Sequence, residues 1–287
     1  MPLFFLTTWT MIAFAANSVL NRLALAGGCI DAASFGAIRL VAGAVMLAGL
    51  CLALRGRIDL RGPGRVAGVL ALLVYIYGFS GAYNALDAGI GALILFGVVQ
   101  ITMFAGGLWA REAMPPRRWI GALVAFGGLA WLLWPGAGPV ISPLHGLLMA
   151  LAGVGWGIYS LAGRLNRDAL QATATNFILA APVGVVLTLL WPSAPGGAEI
   201  GRDGILLAIA SGALTSGVGY AMWYSILPRI GASVAAVAQL TVPVIAMAGG
   251  MIFLAEALDL QFVMATALVL GGVAISVLPL GRVRRDR

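Results

Sequence analysis

Charged side chains are scarce in this 287-residue chain: they make up 9% of it, whereas 61% of its residues are hydrophobic. A soluble globular domain carries about 25% charged residues, so a soluble fold of this size would lack the charge to cover its surface. The mean hydropathy of +1.02 agrees. These values predict an integral membrane protein and exclude disordered, fibrous and nucleic-acid-binding chains.

Lysine is absent, histidine occurs once, as His145, and the two cysteines are Cys29 and Cys51. A phosphate-binding loop of the P-loop type needs a lysine, and metal clusters or disulfide frameworks need more cysteine and histidine than this. An intramembrane enzyme would also need a carboxylate pair, a Ser/His dyad or a His/Asp metal set, and no carboxylate falls in the middle of an apolar run. The sequence therefore predicts no cofactor, no metal site and no enzymatic activity.

Long apolar runs recur along the whole chain, separated by clusters of Arg, Pro, Gly and Asp. A helix needs about 20 apolar residues to cross a bilayer. A β-barrel is disfavoured, because its strands would alternate with period two and these runs are apolar on all sides. The sequence predicts an all-α integral membrane fold with ten transmembrane helices, at residues 4–24, 32–54, 66–86, 89–110, 117–134, 144–163, 172–191, 203–227, 232–254 and 260–280.

Arginine is distributed unevenly between the two sides of the predicted membrane. With a cytoplasmic amino terminus, 14 Arg residues fall in cytoplasmic gaps and the tail, and two, Arg22 and Arg202, on the opposite side. This bias is the positive-inside signal. It predicts that both termini are cytoplasmic, and it accounts for the net charge of +7 without a nucleic-acid partner.

The two halves of the sequence resemble one another. A shift of 144 residues places Glu112 on Glu256 and Gly128 on Gly272. Each repeat then contains five helices, which is an odd number, so the second copy must enter the membrane from the opposite side. We expect two inverted five-helix repeats around a central cavity, an architecture that many secondary transporters share.

Short motifs accompany this architecture: the segment 38–40 (Ile-Arg-Leu) in the second helix, the acidic residue that closes helices 4 and 9, and Pro243 in helix 9. With the ten spans in two halves, they make the whole chain resemble the drug/metabolite transporter superfamily in its EamA-type branch. Within that branch it looks most like the YddG-type exporters of amino acids from bacteria. The resemblance implies EamA-type repeats at residues 1–138 and 139–287, and efflux of amino acids or similar metabolites across the inner membrane.

Polar and aromatic side chains inside the spans are candidates for lining a substrate path, because such groups are costly in lipid unless they face the bundle interior. Amides and hydroxyls can bind the ammonium and carboxylate of a zwitterion, and aromatic faces can hold an apolar side chain or a cation. Interhelical hydrogen bonding is the alternative role for the amides. The candidates are Asn17, Tyr77, Tyr83, Gln100, Trp156, Tyr159, Tyr220, Tyr224 and Gln239.

Three charged residues are expected to be structural. Arg39 is the only basic residue inside a span, and we expect it to snorkel or to pair with Asp31, Asp87 or a helix carboxyl end, in preference to binding a substrate carboxylate. Glu112 and Glu256 are expected to cap their short loops and to pair with Arg there.

Helix breakers inside the spans predict hinges. Pro243 in helix 9 and Pro182 in helix 7 each remove one backbone hydrogen bond, and Gly78 softens helix 3.

Together these predictions favour a monomeric secondary transporter in the lipid bilayer of the bacterial inner membrane. It would export neutral amino acids, aromatic or other, and related small metabolites by alternating access through one substrate-sized cavity. Export of drug-like cations or of a nucleotide sugar is the alternative within this class. A nucleotide sugar would call for several buried Arg residues, and a channel would call for charged rings or pore symmetry.

Overall fold

The computed structural model describes residues 3–111, 115–132, 134, 141–163, 165–190, 200–226, 229, 238–239 and 241–277. All regular structure in these ranges is helical. In chain order the helices are α1 (Leu3–Ala26), α2 (Ala32–Arg55), α3 (Arg65–Ala82), α4 (Ala88–Trp109), α5 (Pro116–Leu132), α6 (Pro143–Gly163), α7 (Ala169–Leu190), α8, α9 (Thr241–Leu254) and α10 (Leu260–Val277). Helix α8 has three parts, which are α-helical at Arg202–Ile209, π-helical at Ala210–Val218 and α-helical again at Gly219–Ile226.

Seven of these helices, α1 to α4 and α6 to α8, are long and apolar enough to cross a membrane, and α9 and α10 are shorter apolar helices. Their outward faces carry large apolar side chains such as Val66, Trp109 and Leu189, which are mostly exposed. A soluble protein rarely exposes so continuous an apolar surface. The chain is therefore a multi-pass membrane protein. The described helices overlap the predicted spans, although α9 begins at Thr241 whereas the span predicted there begins at 232.

Local signals set the helix ends. The side chain of Asp31 accepts a hydrogen bond from the first turn of α2, and Gly56 ends that helix in the left-handed conformation with a φ of 70°. Pro116 and Pro143 are the first residues of α5 and α6, where proline loses no intrahelical hydrogen bond. A capping side chain, a left-handed glycine and two prolines thus fix these helix ends.

Contacts between loops show which helix ends lie together. Arg22 near the end of α1, Asp87 before α4 and Glu256 after α9 meet at one end, which we call the Arg22 end. Arg55 at the end of α2 pairs with Asp168 before α7 at the other end, which we call the Arg55 end. Successive helices therefore cross the bundle in alternate directions.

The predicted internal repeat would match α1–α5 to α6–α10, and the contacts between helices can be compared on that basis. Among the first five helices, α3 and α4 both pack on α6, and α3 also packs on α7. The corresponding contacts of the last five helices are also present, because α8 and α9 both pack on α1, and α8 also packs on α2. The remaining major contacts between the halves join matched helices to each other: α2 to α7, α4 to α9 and α5 to α10. These are the contacts that two five-helix halves related by the predicted repeat would make.

The contact between α5 and α10 shows the relative direction of the two matched helices. Gly121 lies against Gly272 and Ser276, whereas Gly128, later in α5, lies against Val269, earlier in α10. Residue numbers rise along one helix as they fall along the other, so the two helices run antiparallel.

A second structural match appears just after α4 and after α9. Arg111 and Ala255 are the two non-glycine residues with positive φ in the described ranges, at 55° and 54°. They are 144 residues apart, which is the shift of the predicted repeat, and each comes directly before a glutamate in the sequence. Left-handed residues commonly end helices, and α4 and α9 are each followed by one, although glycine is usual at such positions.

Candidate functional site

An aromatic cluster fills the centre of the bundle. The ring of Trp156 lies 4.9 Å from that of Tyr75, 5.1 Å from that of Tyr220 and 5.4 Å from that of Tyr159, on which it stacks. Phe14 closes the cluster from α1, at 5.8 Å from Tyr220. Helices α1, α3, α6 and α8 therefore meet through aromatic faces and edges, which attract one another at these distances.

A small cavity lies within this cluster, with a volume of about 20 Å³. It is lined by Phe14, Asn17, Ser18, Tyr75, Leu95, Phe96, Trp156 and Tyr220. This volume admits about one water molecule, whereas ligand pockets usually measure about 300–1,000 Å³. In this conformation the rings occupy the space in which the sequence predicts a substrate-sized cavity.

A hydrogen-bond network of amides and hydroxyls adjoins the cavity. Oδ1 of Asn17 accepts hydrogen bonds from the hydroxyls of Ser211, at 2.8 Å, and Thr215. Asn21 donates to the Asn17 carbonyl at 2.9 Å and accepts from Ser80 at 3.0 Å. These hydrogen bonds join α1 to α3 and α8, and every one of these side chains is buried.

The π-helical part of α8 supplies two hydroxyls of this network, those of Ser211 and Thr215. Residues 210–218 have i→i+5 hydrogen bonding, and they include Ser211, Thr215 and Ser216, all buried against α1 and α2. Such π segments are rare and are often found at functional sites, because the wider turn changes which side chains share a face. Sequence analysis did not predict this segment.

Arg39 of α2 lies fully buried beside the aromatic cluster, with 0% of its surface exposed. Its Nε donates to the Ser216 hydroxyl at 3.2 Å, and its Nη2 donates to the Tyr75 hydroxyl at 3.0 Å. The guanidinium carbon also lies 5.1 Å from the ring centroid of Phe79, within cation–π range. Neither predicted partner binds it, since Asp31 caps α2 and Asp87 pairs with Arg22.

Some of the predicted path residues come together at this site. Asn17, Trp156 and Tyr220 line the cavity. Tyr159 stacks on Trp156, while its hydroxyl donates to Thr173 at 3.1 Å. The side chain of Tyr224 lies outside the described residues.

Other predicted path residues lie elsewhere. The Tyr77 hydroxyl donates to the Gly184 carbonyl at 2.7 Å and so joins α3 to α7. Tyr83 is buried at the Arg22 end of α3, where its hydroxyl donates to the Ala88 carbonyl at 3.3 Å. Gln100 and Gln239 are partly buried and do not line the cavity.

Sequence reasoning missed Tyr75, which binds Arg39 and lines the cavity. The polar residues chosen on α3 began at Tyr77 and followed that face of the helix. A signal was present, because Tyr75, Phe79 and Tyr83 are spaced by four residues and therefore form an aromatic stripe. Their rings indeed form a chain, at 5.4 Å and then 4.8 Å.

The Arg22 end is closed by a second polar cluster, whose central residue is Glu256. Both carboxylate oxygens of Glu256 lie 2.9 Å from the backbone N–H of Ala88 at the start of α4. Nε of Arg22 lies 3.6 Å from Glu256, and its guanidinium also reaches Asp87 at 3.3 Å. The carboxylate thus satisfies a helix N-terminus and a cation together. Glu112, its counterpart in the first repeat, lies outside the described residues.

The burial of Glu256 predicts how the stability of the protein depends on pH. Glu256 lies in the loop 255–259. Burial, together with the negative charge of Asp87, raises the pKa of Glu256 above 4.5, although the Ala88 amide and Arg22 both act to lower it. The folded protein therefore binds this proton more tightly than the unfolded chain, so stability falls as pH rises through the raised pKa. We expect the melting temperature of Glu256→Gln to fall less than that of the wild type between about pH 4.5 and 7.

Asp203→Asn, which alters an exposed acid, is the matched control and should keep the wild-type profile. A Glu256→Gln profile as steep as that of the wild type would contradict the prediction.

The predicted hinges occupy different environments. Pro182 lies inside α7. Pro243 is the third residue of α9. Gly78 lies where α3 crosses α6, and a Cβ there would come 2.8 Å from the Leu148 carbonyl oxygen, so close packing already requires a glycine. Their role as hinges stays a prediction.

No group of three or more His, Cys, Asp or Glu side chains able to hold a metal ion occurs in the part of the chain that the structure describes. Both cysteines are free thiols.

Comparison with known proteins relates this chain to a family of transporters. Residues 144–278, which span α6 to the end of α10, match the model of the EamA-like transporter family. The uncharacterized protein PA1977 of Pseudomonas aeruginosa is 46% identical over 283 residues, covering 98% of this chain and 96% of that protein. The uncharacterized transporter YoaV of Bacillus subtilis is 26% identical over 145 residues, covering 49% of each chain.

A solved crystal structure has the same fold, with a TM-score of 0.65 and 21% identity over 93% of this chain and 94% of the other. The chain therefore contains a domain of the EamA-like transporter family, in the drug/metabolite transporter superfamily, at residues 144–278. At the level of the family, it is a membrane transporter of small molecules and not an enzyme.

Proposed function

We propose that this protein is a secondary transporter of the YddG type, which exports neutral amino acids, aromatic or other, and related metabolites across the bacterial inner membrane. The observation that carries the proposal is the buried cluster of aromatic, amide and hydroxyl groups between the two halves. Aromatic faces suit an apolar side chain, and the polar groups suit a zwitterion. Since the chain carries no phosphate-binding loop, a substrate or ion gradient supplies the energy.

Two inverted repeats, residues 1–138 and 139–287, supply the movement in this proposal. The antiparallel contact of α5 with α10 supports inversion, because helices matched by the repeat run in opposite directions. The reciprocal packing of the halves and the matched left-handed residues Arg111 and Ala255 support the repeat itself. Two similar halves in opposite senses can exchange shapes and so expose one site to either side in turn.

The excess of arginine supports an orientation with the Arg55 end in the cytoplasm and the Arg22 end in the periplasm. The cluster of Arg22, Asp87 and Glu256 then closes the periplasmic side, and the central rings leave a cavity of about 20 Å³. A substrate is admitted when the halves rock and the rings of Trp156 and Tyr220 separate.

Transport by reconstituted vesicles tests the proposal. We expect wild-type protein to exchange radiolabelled L-phenylalanine or L-leucine faster than empty vesicles do. Trp156→Ala should raise the concentration for half-maximal transport by about tenfold, which corresponds to about 1.4 kcal/mol of binding. Trp109→Ala is the matched control, because Trp109 is 91% exposed on the outer surface. Wild-type vesicles that move no amino acid, or that move only drug-like cations, would overturn the proposal.

A further inference from the structure

We propose that Arg39 binds the carboxylate of the transported substrate, so that the substrate is a small monocarboxylate with an aromatic or apolar side chain. This assignment rests on the proposed transport function and narrows it. It also replaces the structural role that the sequence alone favours for Arg39.

The charge of Arg39 has no counter-charge in the described ranges. The ion pairs found there join Arg22 to Asp87 and Glu256, and Arg55 to Asp168. Every described acid lies in a loop or at a helix end, whereas Arg39 lies inside α2 and is fully buried. A buried cation without an anion is costly, and inside membrane proteins such a residue usually marks a substrate or ion pathway.

Arg39 also has an unused donor. Nε and Nη2 bind Ser216 and Tyr75, but the buried Nη1 has no hydrogen-bond partner among the described residues. The hydroxyl of Tyr220 is likewise buried without a partner. A guanidinium is a planar fork of donors that matches a carboxylate, and a tyrosine hydroxyl can donate to the same group. The two unpartnered donors therefore suit an anionic oxygen acceptor.

The position of Arg39 connects it to the cavity. Its guanidinium carbon lies 5.2 Å from the ring centroid of Tyr75, and Tyr75 and Tyr220 both line the cavity. A carboxylate that enters between these two rings meets the Tyr75 and Tyr220 hydroxyls and the guanidinium behind them. The remainder of the substrate then lies against Trp156 and Phe14, which form the other walls.

The fixed positive charge disfavours one class of substrate. A drug-like cation would gain from the aromatic faces but would be repelled by Arg39, whose charge no described acid neutralises. A monocarboxylate gains from both the rings and the guanidinium. The substrate class therefore includes neutral amino acids and aryl or alkyl carboxylates.

Three related probes test this assignment in the wild-type protein: L-phenylalanine, L-phenylalaninamide, which lacks the carboxylate, and 3-phenylpropionate, which lacks the ammonium group. We expect phenylalanine and phenylpropionate to be transported and to raise the melting temperature of the purified protein. The amide should bind at least about tenfold more weakly, as expected for the loss of a charge-assisted hydrogen bond.

Variants complete the test. Arg39→Gln should weaken the binding of both carboxylates by about tenfold or more and should not weaken the binding of the amide, and Arg39→Lys should recover part of the loss. Arg65→Gln is the matched control, because Arg65 is a partly buried arginine whose Nη1 binds the Ala172 carbonyl and Asn176. It should keep the preference for carboxylates.

The outcomes separate the two proposals. An equal response of the wild type to phenylalanine and its amide, or an Arg39→Gln variant that keeps the preference, overturns the assignment of Arg39 alone. If Arg39→Gln does not fold, the wild-type probe series still decides. Failure of wild-type protein with every probe overturns the proposed transport function, and the assignment with it.

Discussion

Replacing Gly272 by alanine will lower the melting temperature of the purified protein markedly. A Cβ at this position would lie 2.6 Å from the backbone nitrogen of Ala125 and 2.6 Å from the carbonyl oxygen of Gly121. Both are backbone atoms of α5, so no side chain can move aside and the helices must separate. Overpacking of this kind costs about 1–3 kcal/mol, and thermal unfolding in detergent measures it.

The neighbouring Gly271 is the matched control. It lies in the same helix, but a Cβ there would meet nothing within 4 Å. Gly271→Ala should leave stability unchanged or raise it by about 0.5–1 kcal/mol, since alanine is the better helix former. Equal effects of the two substitutions would contradict the close approach of α5 and α10.

Replacing Asn17 by leucine will lower both stability and transport. The substitution keeps the approximate size of the side chain but removes the oxygen that accepts from Ser211 and Thr215. Thr215 keeps a bond to the Ser211 carbonyl, whereas the Ser211 hydroxyl is left without an acceptor inside the bundle. An unsatisfied buried polar group costs about 1–3 kcal/mol. Because Asn17 also lines the cavity, the rate of amino-acid exchange should fall with the melting temperature.

Thr10→Val is the control for this effect. Thr10 is buried on the same helix, but its hydroxyl donates to the Leu6 carbonyl of α1 itself, at 2.8 Å. Such bonds back to the helix add little to stability, so this variant should melt close to the wild type. A loss as large as that of Asn17→Leu would assign the effect to polar side chains in α1 generally and not to the network with α8.

The helices were largely predictable because lipid imposes a simple rule. A spanning helix must be apolar over a known length, and Arg, Gly and Pro mark its ends. The sequence placed α2 at 32–54, and the helix spans Ala32–Arg55. What a hydropathy pattern cannot predict is the π segment at Ala210–Val218, because its residues are as apolar and small as those of an ordinary helix in such a bundle.

The candidate site was predictable in part. Asn17, Trp156 and Tyr220 are polar or amphipathic groups in mid-span, and all three face the bundle interior, where they line the cavity. Tyr77 has the same sequence character but packs against α7, because helical spacing shows which residues share a face and not which neighbour that face meets. The partners of Arg39 were not predictable for the same reason, since two hydroxyls replaced the expected acids.

The burial of Arg39 has a consequence for biosynthesis. Helix α2 enters the bilayer early, whereas Tyr75 lies 36 residues and Ser216 lies 177 residues further along the chain. An arginine at the centre of an inserting helix costs about 2.5–3.5 kcal/mol on scales measured with the translocon, and Arg39, in the first third of α2, carries a smaller part of this cost. The nascent chain must therefore carry this guanidinium into lipid before its hydroxyl partners have left the ribosome. Ribosome stalling before α8 would leave the amino-terminal half inserted but with Arg39 still lacking the Ser216 hydroxyl.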